Sequence, residues 1–122
     1  MAFAHKEITE RIIGAAFEVY NELGYGFLER VYQRALQVEL RKMGLRAEVE
    51  PPIDVRYKGV IVGEYRGDLL VEGVVMVELK VAKDYSAADE PQLLNVLKAS
   101  RIDVGLLVNF GRTKVEFKRL VF

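Results

Sequence analysis

The chain has no cysteine, one histidine, three prolines and no excess of either charge. Without cysteine there is no disulfide and no thiolate nucleophile, and a lone His5 near one end leaves no histidine-rich zinc site. Any metal would then be held by oxygens. Eighteen basic residues balance eighteen acidic ones, which argues against a general nucleic-acid coat protein. No apolar run is long enough to span a bilayer, and Met1 to Glu10 lacks the apolar centre of a signal peptide. A cytoplasmic protein without a membrane partner is expected. No low-complexity tract, repeat or Pro/Gly-rich linker marks a boundary. With 122 residues, 51% apolar and 30% charged, the chain has the size and mixture of one domain over residues 1–122.

The most informative stretch is Val74 to Val81, a buried-strand pattern interrupted by Glu78 and Lys80. Alternate side chains of a strand face opposite ways, so Glu78 and Lys80 share one face while Val77, Leu79 and Val81 share the other. Charges set among valines are costly to bury unless they meet a partner, a metal or solvent. The preceding Asp68 to Val71 predicts a hairpin into this strand. A two-residue loop at Glu72-Gly73 would put Asp68 on the face opposite Glu78. A loop of Val71-Glu72-Gly73 instead pairs Leu70 with Val74 and Asp68 with Met76, which makes Asp68 and Glu78 diagonal neighbours about 7–8 Å apart. Two carboxylates so placed can converge on one cation. An ion pair on the solvated side of a sheet is the competing interpretation.

Helical spacing of Ile8, Ile12, Ala15, Val19 and Leu23 predicts a first helix over Lys6 to Leu23, ended by Gly24. A second helix carries Leu28, Val31, Tyr32, Ala35, Leu36 and Leu40 as far as Gly44. Glu29 stands at the end of its stripe Tyr32, Leu36, Leu40 and Met43, either turned toward a site or resting near the positive end of the helix dipole. Ala47 to Arg56 is expected as a strand, confined to an edge or bulge by Pro51-Pro52, and Tyr57-Lys58-Gly59 as a turn. Val60 to Tyr65 leads on to Asp68. Ser86 to Asp89 has the spacing of a capping box before a helix that ends near Ser100, with Gln92 in its first turn. Ile102 to Phe110 and Lys114 to Phe122 are the last strands expected. The order predicts an α/β sandwich, a mixed sheet with helices on both sides.

Charge is divided unevenly. Residues 48–90 hold ten acids and five bases, whereas residues 91–122 hold six bases and two acids. Lys98, Arg101, Arg112, Lys114, Lys118 and Arg119 would serve as a basic rim for phosphates or as solubilising charges.

Gly26-Phe-Leu-Glu29-Arg-Val-Tyr32 resembles the Gly-x-x-Glu-x-x-Tyr motif of the GxxExxY proteins, which belong to the PD-(D/E)XK nuclease-like superfamily. The resemblance extends through Asn21-Glu-Leu-Gly24, Asp68-Leu-Leu-Val71, Val77-Glu-Leu-Lys80, Gln92-Leu-Leu-Asn95 and Gly105-Leu-Leu-Val-Asn-Phe-Gly111. It implies a restriction-endonuclease-like αβββαβ core. It further implies metal-ligating Asp68 and Glu78, catalytic Lys80, the helix-borne acid Glu29 and the site glutamine Gln92. A backbone carbonyl such as that of Leu79 would be a third oxygen ligand for Mg²⁺ or Mn²⁺. The function implied is a metal-dependent nuclease acting on DNA or RNA; the alternative is a non-catalytic module that binds nucleic acid or protein. A symmetric second copy would help so small a domain grip a duplex. Val96 and Tyr20 depart from the family, where a tyrosine and a histidine are common.

Overall fold

The structure, a computed structural model, describes residues 5–122; Met1 to Ala4, part of the segment read for a signal peptide, lie outside the described residues. Helix α1 (Lys6–Leu23) buries Ile12, Ala15, Ala16 and Val19 on one face and ends where the Gly24 N–H reaches the Tyr20 carbonyl. Helix α2 (Glu29–Lys42) buries Tyr32, Leu36 and Leu40. These three fall on the predicted stripe with Glu29 at its end. Leu28 and Val31, expected on the core side, are exposed instead, because Leu28 is the cap that precedes the helix and Val31 falls off the buried stripe.

Five strands, β1 (Ala47–Val49), β4 (Leu69–Val71), β5 (Val75–Lys80), β6 (Val104–Phe110) and β7 (Val115–Val121), form the central sheet in the order β1-β4-β5-β6-β7. Only β5 and β6 run parallel, joined through α3 (Glu90–Ser100), so the sheet is mixed. Strands β2 (Pro52–Tyr57) and β3 (Val60–Arg66) form a separate ribbon. This corrects the single strand expected over Ala47 to Arg56. The chain breaks at Glu50, whose φ is 50°, and at Pro51, which offers no N–H to a ladder. The αβββαβ core is therefore α2-β1-β4-β5-α3-β6, with the ribbon inserted between its first two strands.

The sheet separates two apolar layers. Val75, Val77 and Leu79 pack with α1 and α2, whereas Met76, Leu107 and Leu120 pack with Leu93, Val96 and Leu97 of α3. Every residue of β6 is buried, as expected of a strand covered on both sides. Val96 is fully used in this second layer, which accounts structurally for an aliphatic residue there.

The β4-β5 hairpin keeps the predicted parity but not the predicted register. Leu69 pairs with Val77 and Val71 with Val75, so the loop is Glu72-Gly73-Val74, one residue later than expected. Continuing that register by one pair sets Asp68 opposite Glu78 rather than Met76. Val71 is fully buried and held in the ladder, while Glu72 (φ 53°) and Gly73 (φ 68°) take the left-handed turn. Arg46 steadies it: its carbonyl accepts the Glu72 N–H, and its own N–H donates to the Glu72 carboxylate at 2.6 Å. Just before Asp68, a Cβ on Gly67 would lie 2.3 Å from the Met76 sulfur, so the chain packs directly on the Met76 side chain, which would have to shift for a larger residue.

Tyr32 ties α2 to the loop before it. Its ring stacks on Phe110 at 4.5 Å, and its hydroxyl donates to the Gly24 carbonyl and accepts the Phe27 N–H. Removing only the hydroxyl, Tyr32→Phe, is expected to cost about 1–2 kcal/mol in urea unfolding. Tyr32→Ala, which also empties the stack, is expected to cost about 3–5 kcal/mol.

A candidate metal centre on the central strand

Glu78 is 5% exposed, and among the described residues no N–H or hydroxyl donates to its Oε2. Asp68 lies beside it, with Oδ2 accepting the Leu79 N–H at 2.6 Å. The Asp68 backbone is fixed from three sides. Its N–H donates to the Val77 carbonyl, and its carbonyl accepts the Glu50 N–H and the Gln33 side-chain amide, both at 3.0 Å. Gln33 went unnoticed in the sequence although it is buried one turn beyond Glu29 on the same face of α2. A glutamine inside an otherwise apolar stripe was the available signal.

Burial, then the charge of Asp68 and a hydrogen bond between the two carboxyls, push Glu78 up to about 9; Lys80 offsets part of this and Glu29 adds to it. Glu29 is itself raised, first by burial and then by Asp68 and Asp89, against the opposing pull of Lys80. Glu29, Asp68, Glu78 and Lys80 thus share one electrostatic neighbourhood, to which Asp89, the residue just before α3, adds a further acid. Lys80 is half-buried and has no ion-pair partner within 4 Å among the described residues, which disfavours a simple Lys80–Glu78 salt bridge. Gln92 is exposed in the first turn of α3 and makes no side-chain hydrogen bond among the described residues.

The end of β5 is anchored by Asn109, which stands opposite Lys80. The buried Asn109 amide accepts the Ala82 N–H and donates to the Ala82 carbonyl, both at 2.9 Å, and so prolongs the ladder by one peptide. Beyond it the Lys83 carbonyl accepts the Arg112 N–H, and Tyr20 donates to the Gly111 carbonyl at 2.7 Å. Tyr20 thereby braces the β6-β7 turn. The six C-terminal bases fall on three parts of the fold: Lys98 and Arg101 line a cleft at the end of α3, Arg112 and Lys114 sit in the β6-β7 turn, and Lys118 and Arg119 lie on β7, where Lys118 pairs with Glu90 at 3.3 Å.

The donor set suits a hard divalent cation. A buried carboxylate oxygen that no N–H or hydroxyl of the described residues satisfies, beside a second carboxylate that raises its proton affinity, is the situation a cation relieves. Among the described residues no three His, Cys, Asp or Glu side chains form a ready-made cage. Mg²⁺ needs none, since it commonly takes one or two carboxylates and completes its shell with water and phosphate.

A mixed sheet between two helical layers, with Asp68 just before β4 and Glu78 and Lys80 on the central strand β5, is the arrangement of a restriction-endonuclease-like fold. The family model of the PD-(D/E)XK nuclease superfamily matches residues 6–120, and the chain belongs to that superfamily. A solved structure titled "Crystal structure of SSO0001" is similar in fold, with a TM-score of 0.59 at 17% identity. The match covers 96% of this chain and 58% of that one, so the chain spans little more than half its length. No curated protein matches.

The raised Glu78 carboxyl sets a pH dependence. Between the ordinary carboxylate value of 4.5 and about 9 the folded metal-free protein keeps a proton that the unfolded chain releases. This contribution to stability is therefore full below about 4.5 and declines as pH rises toward 9. Thermal melts of metal-free protein should show a declining midpoint over this range, and Glu78→Gln should flatten the decline. Added Mn²⁺ should raise the wild-type midpoint more at pH 8 than at pH 5.5.

Proposed function

We propose that the chain is a single nuclease domain that hydrolyses phosphodiester bonds of DNA or RNA with Mg²⁺ or Mn²⁺. The observation that carries this reading is the buried Glu78 oxygen beside Asp68 that no N–H or hydroxyl of the described residues satisfies, with Lys80 on the same face of the strand and without an ion-pair partner among those residues. Asp68, Glu78 and the Leu79 carbonyl would hold the cation. When bound, it supplies Lewis acidity at a phosphate oxygen and compensates charge on the leaving group.

The chain's own groups do the rest. Asp68 is held by Gln33, Glu50 and the Leu79 amide, so its carboxylate stays in place when the second carboxylate ionises. Glu78 gives up its proton to solvent on metal binding. Lys80 places a positive charge and a donor where water and phosphate meet, orienting the water for attack. Glu29, raised by burial, accepts a proton from that water more readily than an ordinary carboxylate. Attack at phosphorus breaks the bond to the leaving oxygen, which takes up a proton. Gln92 is assigned a contact with the substrate phosphate, since it lies at the exposed start of α3, next to the acid that influences Glu29.

Purified protein with Mn²⁺ should cleave at least one member of a panel of single-stranded, duplex and branched DNA and RNA, and chelation should stop it. Lys80→Ala should lower turnover by at least ~10²-fold while keeping the melting midpoint and Mn²⁺ binding. Asp68→Ala should lose Mn²⁺ binding and turnover together. Were Lys80 only the partner of Glu78 in a structural ion pair, its loss would cost about 1–4 kcal/mol with no special effect on rate. Wild-type cleavage by Lys80→Ala refutes the assigned role, and tight binding without cleavage across the panel favours the non-catalytic module.

A further inference from the structure

A cleft of about 590 Å³ lies between the β2-β3 ribbon and α3. Arg56, Lys98 and Arg101 line it with a single acid, Asp54, and Tyr65 and Asn95 complete its polar wall. Lys98 and Arg101 have no hydrogen-bond or ion-pair partner among the described residues, and Arg56 has only a long 3.5 Å contact to the Gly59 carbonyl. Cations left without internal partners around a concave surface form an anion site.

Both walls of the cleft connect to the carboxylate pair through short stretches of chain. Tyr65 precedes Asp68 by three residues, which bounds their Cα separation at about 11 Å. That is the length of about three stacked nucleotides at ~3.4 Å each. On α3, Gln92, Asn95 and Ala99 follow one another at helical spacing, so the face lining the cleft continues to the helix start beside Asp89.

Arg101 marks the far end. It caps α3 with φ 61°, a left-handed conformation that glycine adopts with less strain, yet the position carries a guanidinium at the cleft.

We infer that this cleft binds a single strand of nucleic acid, with phosphates on Arg56, Lys98 and Arg101 and a base against Tyr65, and delivers it to Asp68 and Glu78. The inference rests on the nuclease reading and names its substrate class. An aromatic ring beside cations that track a backbone is how single strands are held without sequence readout. A duplex keeps its bases paired inside and has none to offer Tyr65.

The test measures binding in EDTA, where no cleavage occurs, by anisotropy of a labelled fifteen-nucleotide oligothymidine. The single strand should bind at least ten-fold tighter than a duplex of equal length. The slope of log affinity against log salt should shrink by about 0.7 for each cation removed, hence by about 1.4 in the double variant Lys98→Ala, Arg101→Gly. Arg101→Gly alone should melt at or above the wild-type temperature, so weakened binding cannot be ascribed to unfolding. Tyr65→Trp gives a chain without tryptophan its one indole, whose fluorescence should change on adding unlabelled oligonucleotide.

Equal affinity for duplex, an unaltered salt slope in the double variant, or equally tight binding of polyglutamate would each overturn the inference. Single-strand binding that meets these expectations, in a protein that cleaves nothing with Mn²⁺, would locate the failure in the nuclease reading alone.

Discussion

A buried carboxyl, Glu78, is set against a second, half-buried one, Asp68, and hydrogen bonds to the backbone and carboxylate of Asp68 hold the two together. Like charges in a poorly screened place repel strongly: at an effective dielectric near 20, two unit charges about 4 Å apart cost about 4 kcal/mol. This is a sizeable part of the roughly 5–15 kcal/mol that keeps a domain folded. A flexible chain would relieve the conflict by letting one carboxyl swing out. Here Asp68 is pinned through both its carbonyl and its carboxylate, and Glu78 sits in a strand flanked by ladders on both sides. The remaining relief is to retain a proton or to accept a cation.

The same economy explains the motif around Glu29. Gly26 has a φ of 118°, open to glycine and strained for other residues, and lets the loop fold back under Tyr32. Tyr32 then holds both ends of that loop with one hydroxyl while its ring packs on Phe110 of β6. Glu29, at the first position of α2, is consequently located relative to the sheet by Tyr32. The glycine, the acid and the tyrosine act as one positioning unit, and only the acid contributes charge to the site.

Periodicity made much of this legible. Both long helices follow from apolar spacing, and the shared face of Glu78 and Lys80 follows from strand parity alone. The hairpin register was out of reach because it turns on Glu72 tolerating a left-handed conformation while Arg46, distant in sequence, satisfies its amide and carboxylate. The break between β1 and β2 escaped for a related reason. Pro51-Pro52 signalled an irregularity, but that the chain leaves one sheet for another depends on β4 filling the place beside β1. Gln33 and Asn109 are ordinary polar residues in sequence, and their importance lies in backbone groups that only tertiary folding brings near. The family resemblance supplied the identities of the candidate site residues. Gln92 is the residue whose assignment rests most on that resemblance, since among the described residues no hydrogen bond holds its side chain.

The ribbon leaves and rejoins the core at a single point. Val49 of β1 pairs with Leu69 of β4, so the chain departs just after Val49 and returns just before Leu69, beside its own starting point. Everything from Pro52 to Arg66 is thus an excursion whose ends are already closed by the sheet. Its length can change at the modest entropic cost of a longer or shorter loop, while the strands that carry the carboxylates keep their register. The plan joins a part whose reach and outward surface are open to change, beyond Ile53 and Tyr65 that pack on the second apolar layer, to a core that must not move.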